Sequence, residues 1–162
     1  KNEYGKPFLK YNHNFHFNIS HSGEWAICAT DVAPIGIDIE HIQPIDFDVA
    51  KRFFSKGEYD DLMNINNARR LSYFYDLWTL KESYIKAIGR GLSIPLNSFS
   101  LRINGEKDIT LKIGNMESRC FFKQYSIDKN YKLAVCGLTK GFSDEVIIKE
   151  ISDIYEEISI FN

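Results

Sequence analysis

The first third of the chain alternates apolar and polar residues in the manner of β-strands. Phe15, Phe17 and Ile19 fall on one face of a predicted strand, and polar residues fall on the other. A short polar turn separates this strand from a second one over 24–30, so the pattern predicts a β-hairpin. A third, β-branched strand is predicted over 35–40.

The middle of the chain has helical spacing. Apolar residues predict a short helix over 49–54. Ser55 and Glu58 form the capping-box pattern that starts a second helix. The longest helix is predicted over 67–88, with an asparagine as its N-cap and Gly89 at its end.

The last third is again strand-like. Four segments alternate or are β-branched: 98–103, 109–113, 120–126 and 133–138. The tail from Asp144 is acidic and rich in isoleucine, and its pattern fits either a strand or an amphipathic helix. Residues 25–28 resemble residues 133–136, and each segment follows an aromatic-rich strand and a turn, as two similar halves would produce.

Composition narrows the class of protein. The chain has 162 residues, 20 Lys and Arg against 22 Asp and Glu, and 44% hydrophobic residues. This length predicts one compact domain or two small packed halves, and the net charge of −2 excludes a strongly basic nucleic-acid-binding protein. The chain contains no run of about 18 apolar residues, so the sequence predicts no transmembrane helix. Three widely spaced cysteines without a C-x-x-C pattern indicate reduced thiols and a cytoplasmic location.

The strand over 36–40 (G-I-D-I-E) carries two carboxylates on one face. Residues two apart in a strand share a face, so Asp38 and Glu40 lie side by side. Neighbouring carboxylates repel each other unless both point into water or a cation lies between them. Their oxygens suit a hard ion such as Mg²⁺, but an ordinary acidic edge strand would have the same pattern.

The long helix has charged residues on and beside its apolar face. Glu82 and Lys86 are four residues apart at the edge of this face, and such a pair is usually a surface salt bridge. Lys81 projects into the middle of the apolar face. We therefore expect Lys81 either to extend outward along its aliphatic stem or to face a cleft that holds anions.

The turn of the first hairpin combines an imidazole with hydroxyl groups. Ser20, His21 and Ser22, together with turn amides, suit a phosphate group. A plain serine-rich turn is the alternative. By itself, Lys6 in residues 5–7 (G-K-P) indicates only a turn with a positive charge.

Three segments together resemble the signature motifs of 4′-phosphopantetheinyl transferases, most closely the surfactin-synthetase-activating type. They are residues 17–22 (F-N-I-S-H-S), 36–40 (G-I-D-I-E) and 78–86 (W-T-L-K-E-S-Y-I-K). Similarity continues through 51–55 and 91–96, and it covers nearly the whole chain. The combination of these motifs in this order and spacing is specific.

The resemblance implies an α+β fold of two halves related by a pseudo-twofold axis, each a small antiparallel sheet packed on helices. Residues 1–40 would belong to the first half and 41–162 to the second, with the active site between them. Members of this type begin well before the position that matches Lys1. We therefore expect the first half to be incomplete at its N-terminal part, and apolar surface to be exposed there.

The resemblance also implies a reaction and its residues. The family transfers the phosphopantetheine arm of coenzyme A to a serine of an acyl or peptidyl carrier protein and releases adenosine 3′,5′-bisphosphate. By analogy Mg²⁺, or Mn²⁺, binds to three carboxylates, while other side chains bind the coenzyme. The implied metal ligands are Asp38, Glu40 and Glu82, and the implied coenzyme-binding residues are Lys6, Ser20, His21 and Lys86.

Transfer to a serine requires alignment and charge neutralisation more than covalent chemistry from the enzyme. We therefore expect Glu82 to act as the base, either directly or through a metal-bound water, and Lys86 to stabilise the charge on the leaving phosphate. The carrier protein would meet the segment from Gly89 onward and the apolar helix around Phe53, and the enzyme would be a monomer without a membrane or nucleic-acid partner. Two alternatives are a Mg²⁺-dependent hydrolase of nucleotide pyrophosphates and a non-catalytic fragment that binds coenzyme A or a carrier protein.

Overall fold

The computed structural model of the protein describes residues 1–12, 14–105 and 108–160. The strands are His16–Ser22 (β1), Trp25–Asp31 (β2), Ile35–His41 (β3), Phe99–Ile103 (β4), Ile109–Ile113 (β5), Met116–Glu117 (β6), Phe121–Tyr125 (β7) and Tyr131–Gly137 (β8). The helices are Asp48–Phe53 (α1), Lys56–Asn64 (α2), Asn67–Ile88 (α3) and Ile151–Ser159 (α4), with short 3-10 turns at Gly91–Ser93 and Leu96–Ser98. The predicted α+β class is confirmed.

Three small antiparallel sheets make up the strand layer: β1-β2, β3-β8-β7 and β4-β5-β6. β3 pairs with β8 along its whole length, with Ile37 opposite Val135 and Asp38 opposite Ala134. The predicted boundary after residue 40 therefore falls inside a strand that is hydrogen-bonded to the second half. The two similar tetrapeptides lie in β2 and β8, each the second strand of an antiparallel hairpin.

Local capping chemistry sets the helix boundaries. The capping box is formed as predicted, because Ser55 accepts a hydrogen bond from the Glu58 amide and Glu58 accepts one from the Ser55 amide. Asn66 caps α3 by accepting a hydrogen bond from the Ala68 amide. Gly89 ends α3 in the left-handed conformation with φ of 74°, which a glycine adopts without a Cβ penalty. The predicted bounds of α3 are confirmed.

α3 packs directly on β3, and Gly36 makes this close approach possible. A Cβ at this position would overlap the carbonyl oxygen of Ser83 and the amide nitrogen of Ala87. The face of β3 that carries Gly36 also carries Asp38 and Glu40, so α3 covers this acidic face. The isoleucines on the opposite face form a separate core with β8 and β2.

The polar side chains of β1 point inward, which reverses the usual pattern of a half-buried strand. Asn18 is 5% and Ser20 7% exposed, whereas Ile19 between them is 52% exposed. The inward side chains bind the backbone of β3, as described below. The outward side therefore includes exposed apolar residues, and Phe8 and Phe15 are also exposed.

Lys81 is fully buried, so both sequence-based expectations for it are wrong. Its Nζ forms an ion pair with Glu58 Oε2 at 2.9 Å. It also donates hydrogen bonds to the carbonyl oxygens of Leu96 at 2.8 Å and Phe99 at 2.9 Å. The buried ammonium group thus joins α3 to α2 and to the segment that leads into β4.

The tail contains a helix, α4, which decides between the two predicted alternatives. Its apolar side chains remain exposed; Ile151 is 76% and Tyr155 73% exposed. None of the helices in the described ranges combines the length and the apolar character needed to cross a membrane.

Candidate active site

An acidic cleft of about 340 Å³ lies between β1, β3 and α3. Its walls are formed by Ile19, Ser20, His21, Asp38, Glu40, Trp78, Glu82 and Lys86. The structure therefore brings together every predicted site residue except Lys6. A larger depression of about 600 Å³ lies between α2 and β4 and contains none of the predicted site residues.

Asp38 is the most buried group of the acidic cleft, with 3% exposure. Its Oδ1 accepts hydrogen bonds from Lys86 Nζ at 2.6 Å and from Ser20 Oγ at 3.1 Å. Burial raises the pKa of Asp38 to about 7, the charges of Glu40 and Glu82 add to this effect, and Lys86 opposes it. Even with Lys86 beside it, the pKa of Asp38 is raised, because the effect of burial exceeds that of the ion pair.

The other two carboxylates are half-buried and close enough to act on each other electrostatically. Burial raises the pKa of Glu82, the charge of Glu40 raises it further, and Lys86 lowers it. Glu40 Oε2 accepts a hydrogen bond from Ser22 Oγ at 3.2 Å. Three acidic groups from β3 and α3 thus share one cleft with a single compensating cation among its wall residues.

The donor set of the acidic cleft fits a hard divalent cation. Asp38 Oδ2 is buried and has no hydrogen-bond partner among the described residues, so one oxygen is left for a ligand. Carboxylates, of which this cleft has three, are the oxygen donors that Mg²⁺ prefers. Within residues 1–12, 14–105 and 108–160, however, no three His, Cys, Asp or Glu side chains already stand in a metal-binding arrangement. Lys86 forms an ion pair with Asp38 Oδ1, the other oxygen of the same carboxylate.

Lys86 does not form the surface salt bridge that its spacing from Glu82 suggested. Its ion-pair partner is Asp38 on β3, and its Nζ also donates a hydrogen bond to Ser20 Oγ at 2.9 Å. The side chain is 28% exposed, so its ammonium group remains accessible from the cleft. His21 is exposed at the rim of the same cleft, where an anionic ligand can reach it.

Lys6 lies outside the acidic cleft. Its Nζ donates hydrogen bonds to the carbonyl oxygens of Ile35 at 2.9 Å, Lys86 at 2.6 Å and Ala87 at 3.0 Å. These bonds satisfy carbonyls in the last turn of α3 and tie the N-terminal segment to it. Burial lowers the pKa of Lys6. The geometry thus gives Lys6 a structural role, and contact with a nucleotide stays a prediction.

Several residues that shape the site were missed by the sequence reasoning. Trp78 forms part of the cleft wall, Gly36 lets α3 approach β3, and Asn18 and Ser22 bind the β3 backbone. A glycine inside a β-branched strand is a known signal of close backbone approach. The prediction that Ser20, His21 and Ser22 lie in the hairpin turn is wrong, because β1 continues through Ser22 and the chain turns at Gly23 and Glu24. The alternation of Asn18, Ser20 and Ser22 along a strand fits a solvent-facing side equally well.

Comparison with known proteins agrees with this geometry. The family model described as "ACPS: 4'-phosphopantetheinyl transferase superfamily" matches residues 34–136, which include β3, α3 and β8. The chain is 46% identical to the 4′-phosphopantetheinyl transferase Sfp of Bacillus subtilis (strain 168) over 156 residues, which are 96% of this chain and 68% of that relative. It is 42% identical over 149 residues to the 4′-phosphopantetheinyl transferase gsp of Aneurinibacillus migulanus, covering 92% of this chain and 62% of the relative.

The chain therefore belongs to the 4′-phosphopantetheinyl transferase superfamily and resembles its Sfp-type members. The fold agrees: the holo-[acyl-carrier-protein] synthase of Thermotoga maritima superimposes with a TM-score of 0.54 at 18% identity, over 76% of this chain and 73% of that one. A holo-(acyl-carrier-protein) synthase from Bacillus anthracis superimposes with a TM-score of 0.51 at 20% identity, over 64% of this chain and 93% of that one.

Proposed function

We propose that the chain transfers the 4′-phosphopantetheine group of coenzyme A to a serine of an acyl or peptidyl carrier protein. Membership of the transferase family supports this reaction. The structural observation that carries it is the convergence of Asp38, Glu40, Glu82 and Lys86 in one cleft. These residues come from motifs that are more than 40 positions apart, and the contact of α3 with β3 unites them.

The reaction forms a bond between the carrier serine oxygen and the phosphorus that bears pantetheine. The bond from this phosphorus to the bridging pyrophosphate oxygen breaks, and adenosine 3′,5′-bisphosphate leaves. The serine proton needs an acceptor, and we assign Glu82 as the base. Glu82 is half-buried in the wall of the cleft beside Lys86, and this position is the reason for the assignment.

Positive charge assists the departing phosphate. We assign Lys86 to the pyrophosphate, because its ammonium group is accessible and flanked by acceptors that fix its position. His21 at the rim is assigned to the nucleotide phosphate. Asp38, Glu40 and Glu82 would together hold Mg²⁺ or Mn²⁺, which when bound neutralises charge on pyrophosphate oxygens.

The carrier protein needs a docking surface on the chain. The 3-10 turn that follows α3 exposes 74% of Leu92, and we assign this apolar side chain to contact with the carrier protein. We place the chain in the cytoplasm, which its three free cysteines support: Cys28 is exposed, and Cys120 and Cys136 are buried.

Mass spectrometry of an apo carrier protein, incubated with the chain, coenzyme A and Mg²⁺, tests the function. The carrier should gain the mass of one phosphopantetheine group. Glu82→Gln should lose this activity, and Glu117→Gln, an exposed glutamate on β6, serves as the matched control. Free phosphopantetheine with an unmodified carrier would instead indicate a hydrolase. Bound coenzyme A without either product would indicate a binding fragment.

A further inference from the structure

We propose that Asn18, Ser20 and Ser22 form a polar ladder that positions the carboxylates of Asp38 and Glu40. In this ladder, the three inward side chains of β1 bind the open edge of β3. The inference rests on the proposed function for its catalytic consequence. It adds a positioning role for Ser20 and Ser22 that binding of coenzyme A does not require.

The ladder satisfies backbone groups that a neighbouring strand would otherwise satisfy. Within the described part of the chain, β3 lies at the edge of its sheet, with β8 on one side. The Ile37 amide donates to Asn18 Oδ1 at 2.9 Å, and the Ile39 amide donates to Ser20 Oγ at 3.3 Å. In the same register, the His41 amide donates to Ser22 Oγ at 3.0 Å. Every second amide of β3 from Ile37 to His41 is thus bound by a β1 side chain.

The hydrogen-bond capacity of Ser20 fixes the direction of its hydroxyl. A serine oxygen has two acceptor positions and one hydrogen. Ser20 Oγ accepts from the Ile39 amide and from Lys86 Nζ, so its hydrogen points to Asp38 Oδ1, 3.1 Å away. Ser20 is 7% exposed, and these three partners use the hydrogen-bond capacity of its hydroxyl; contact of Ser20 with coenzyme A stays a prediction. Ser20 acts on the reaction through Asp38 and Lys86, as a positioning residue.

Ser22 repeats this arrangement one step further along. Its oxygen accepts from the His41 amide and donates to Glu40 Oε2 at 3.2 Å. Each serine therefore binds the carboxylate of one β3 residue and the backbone amide of the next residue in β3. Two carboxylates that repel each other are held at fixed positions relative to one rigid strand. Asn18 lacks this second function, because Gly36, the residue before Ile37, has no side chain to position.

The reversed burial of β1 supports a specific role for the ladder. Asn18 and Ser20 are buried, whereas Ile19 between them is 52% exposed and lines the acidic cleft. An ordinary half-buried strand would face the other way. The observed orientation is stable because the inward polar groups are all hydrogen-bonded to β3.

Three ladder variants and one control separate positioning from a purely structural role. Ser22→Ala removes the bond to Glu40, Ser22→Thr keeps the hydroxyl, and Asn18→Ala removes a rung that holds no carboxylate. Ser126→Ala, an exposed serine after β7, is the matched control. For each protein we would measure amide hydrogen exchange by NMR, Mn²⁺ affinity by titration in the presence of coenzyme A, and kcat and KM for transfer.

Ser22→Ala should speed exchange of the His41 amide and weaken Mn²⁺ binding by about 10-fold or more, the usual effect of losing an outer partner of a metal ligand. Its kcat should fall while KM for the carrier protein stays unchanged, and Ser22→Thr should restore both affinity and kcat. Asn18→Ala should speed exchange at Ile37 and leave Mn²⁺ affinity near the wild-type value.

Unchanged exchange and Mn²⁺ affinity in Ser22→Ala would overturn the proposal. Equal losses of Mn²⁺ affinity in Ser22→Ala and Asn18→Ala would also overturn it, because the ladder would then serve only the fold. No measurable Mn²⁺ binding to the wild-type chain would overturn it as well. If the expected exchange and affinity changes appear but the wild-type chain transfers nothing, the proposed function fails and the ladder stands.

Discussion

Replacing Lys81 by methionine should destabilise the fold strongly, although no substrate needs to touch this residue. Methionine keeps the unbranched stem and removes the ammonium group. Glu58 then remains buried, at 3% exposure, and among the residues that the structure describes its remaining hydrogen-bond donors are the amides of Ser55 and Leu101. Two carbonyl oxygens, those of Leu96 and Phe99, lose their donor at the same time.

The size of the effect follows from the burial of the pair. Removing one partner of a buried ion pair costs about 3–5 kcal/mol, because the remaining charge is left without compensation. A domain of this size is stabilised by about 5–15 kcal/mol in total, so the loss is a large share. With about 2–4 °C per kcal/mol for a domain of this length, the melting temperature should fall by roughly 6–20 °C.

Thermal unfolding followed by circular dichroism measures this loss. The double variant with Lys81→Met and Glu58→Gln is the informative partner, because it removes both charges. It should recover part of the stability lost in Lys81→Met. Lys132→Met is the matched control, because it breaks a partly exposed ion pair with Asp76. It should lower the melting temperature less than Lys81→Met does. An unchanged melting temperature in Lys81→Met, or a double variant that loses the sum of both effects, would refute the reasoning.

Four further outcomes follow from the acidic cleft and its supports. Glu82→Gln should keep the fold and lower the transfer rate by a factor on the order of 10², measured by mass spectrometry of the carrier. Lys86→Ala should weaken coenzyme A binding in calorimetric titration and slow transfer as well, because one cation serves both. Gly36→Ala should cost about 1–3 kcal/mol in chemical denaturation and reduce transfer, since the added methyl overlaps the α3 backbone. EDTA should abolish transfer in the same assay, and excess Mg²⁺ or Mn²⁺ should restore it.

Each outcome has a result that contradicts it. Near-normal turnover in Glu82→Gln would remove this carboxylate from the mechanism. If Lys86→Ala changed only the affinity for the carrier protein, and neither coenzyme A binding nor the transfer rate, the proposed role of Lys86 would be contradicted. Gly57→Ala is the control for Gly36→Ala, because a Cβ at Gly57 meets no atom within 4 Å; equal stability of the two variants would disprove the close contact. Full activity in EDTA would refute a metal role for the carboxylates.

Much of the fold could be predicted because local chemistry determines element boundaries. The capping box at Ser55 and Glu58 and the left-handed Gly89 are short-range signals, and the structure contains both. The residues of the site could be predicted for a different reason. Asp38 and Glu40 are two positions apart in a strand and therefore share a face, and the resemblance to the transferase motifs links them to Glu82. The structure places all three in one cleft.

The remaining features depend on partners that are distant in the sequence. Lys81 is buried because Glu58 and two carbonyls surround it, and helical spacing alone could not identify these groups. Lys6 binds the end of α3, a contact across about 80 residues. The inward polar face of β1 depends on the β3 edge beside it. In the tail, isoleucines and acidic residues alternate in a way that satisfies either strand or helix periodicity.

The central claim is that carboxylates from β3 and α3 act as one site, and a double-mutant cycle on the transfer rate tests it most directly. Initial rates of carrier modification would be measured for the wild type, Asp38→Asn, Glu82→Gln and the double variant. Groups that act as a unit show strongly non-additive losses. We predict that the double variant is about as slow as the slower single variant. Losses that multiply, as they do for independent residues, would contradict the claim.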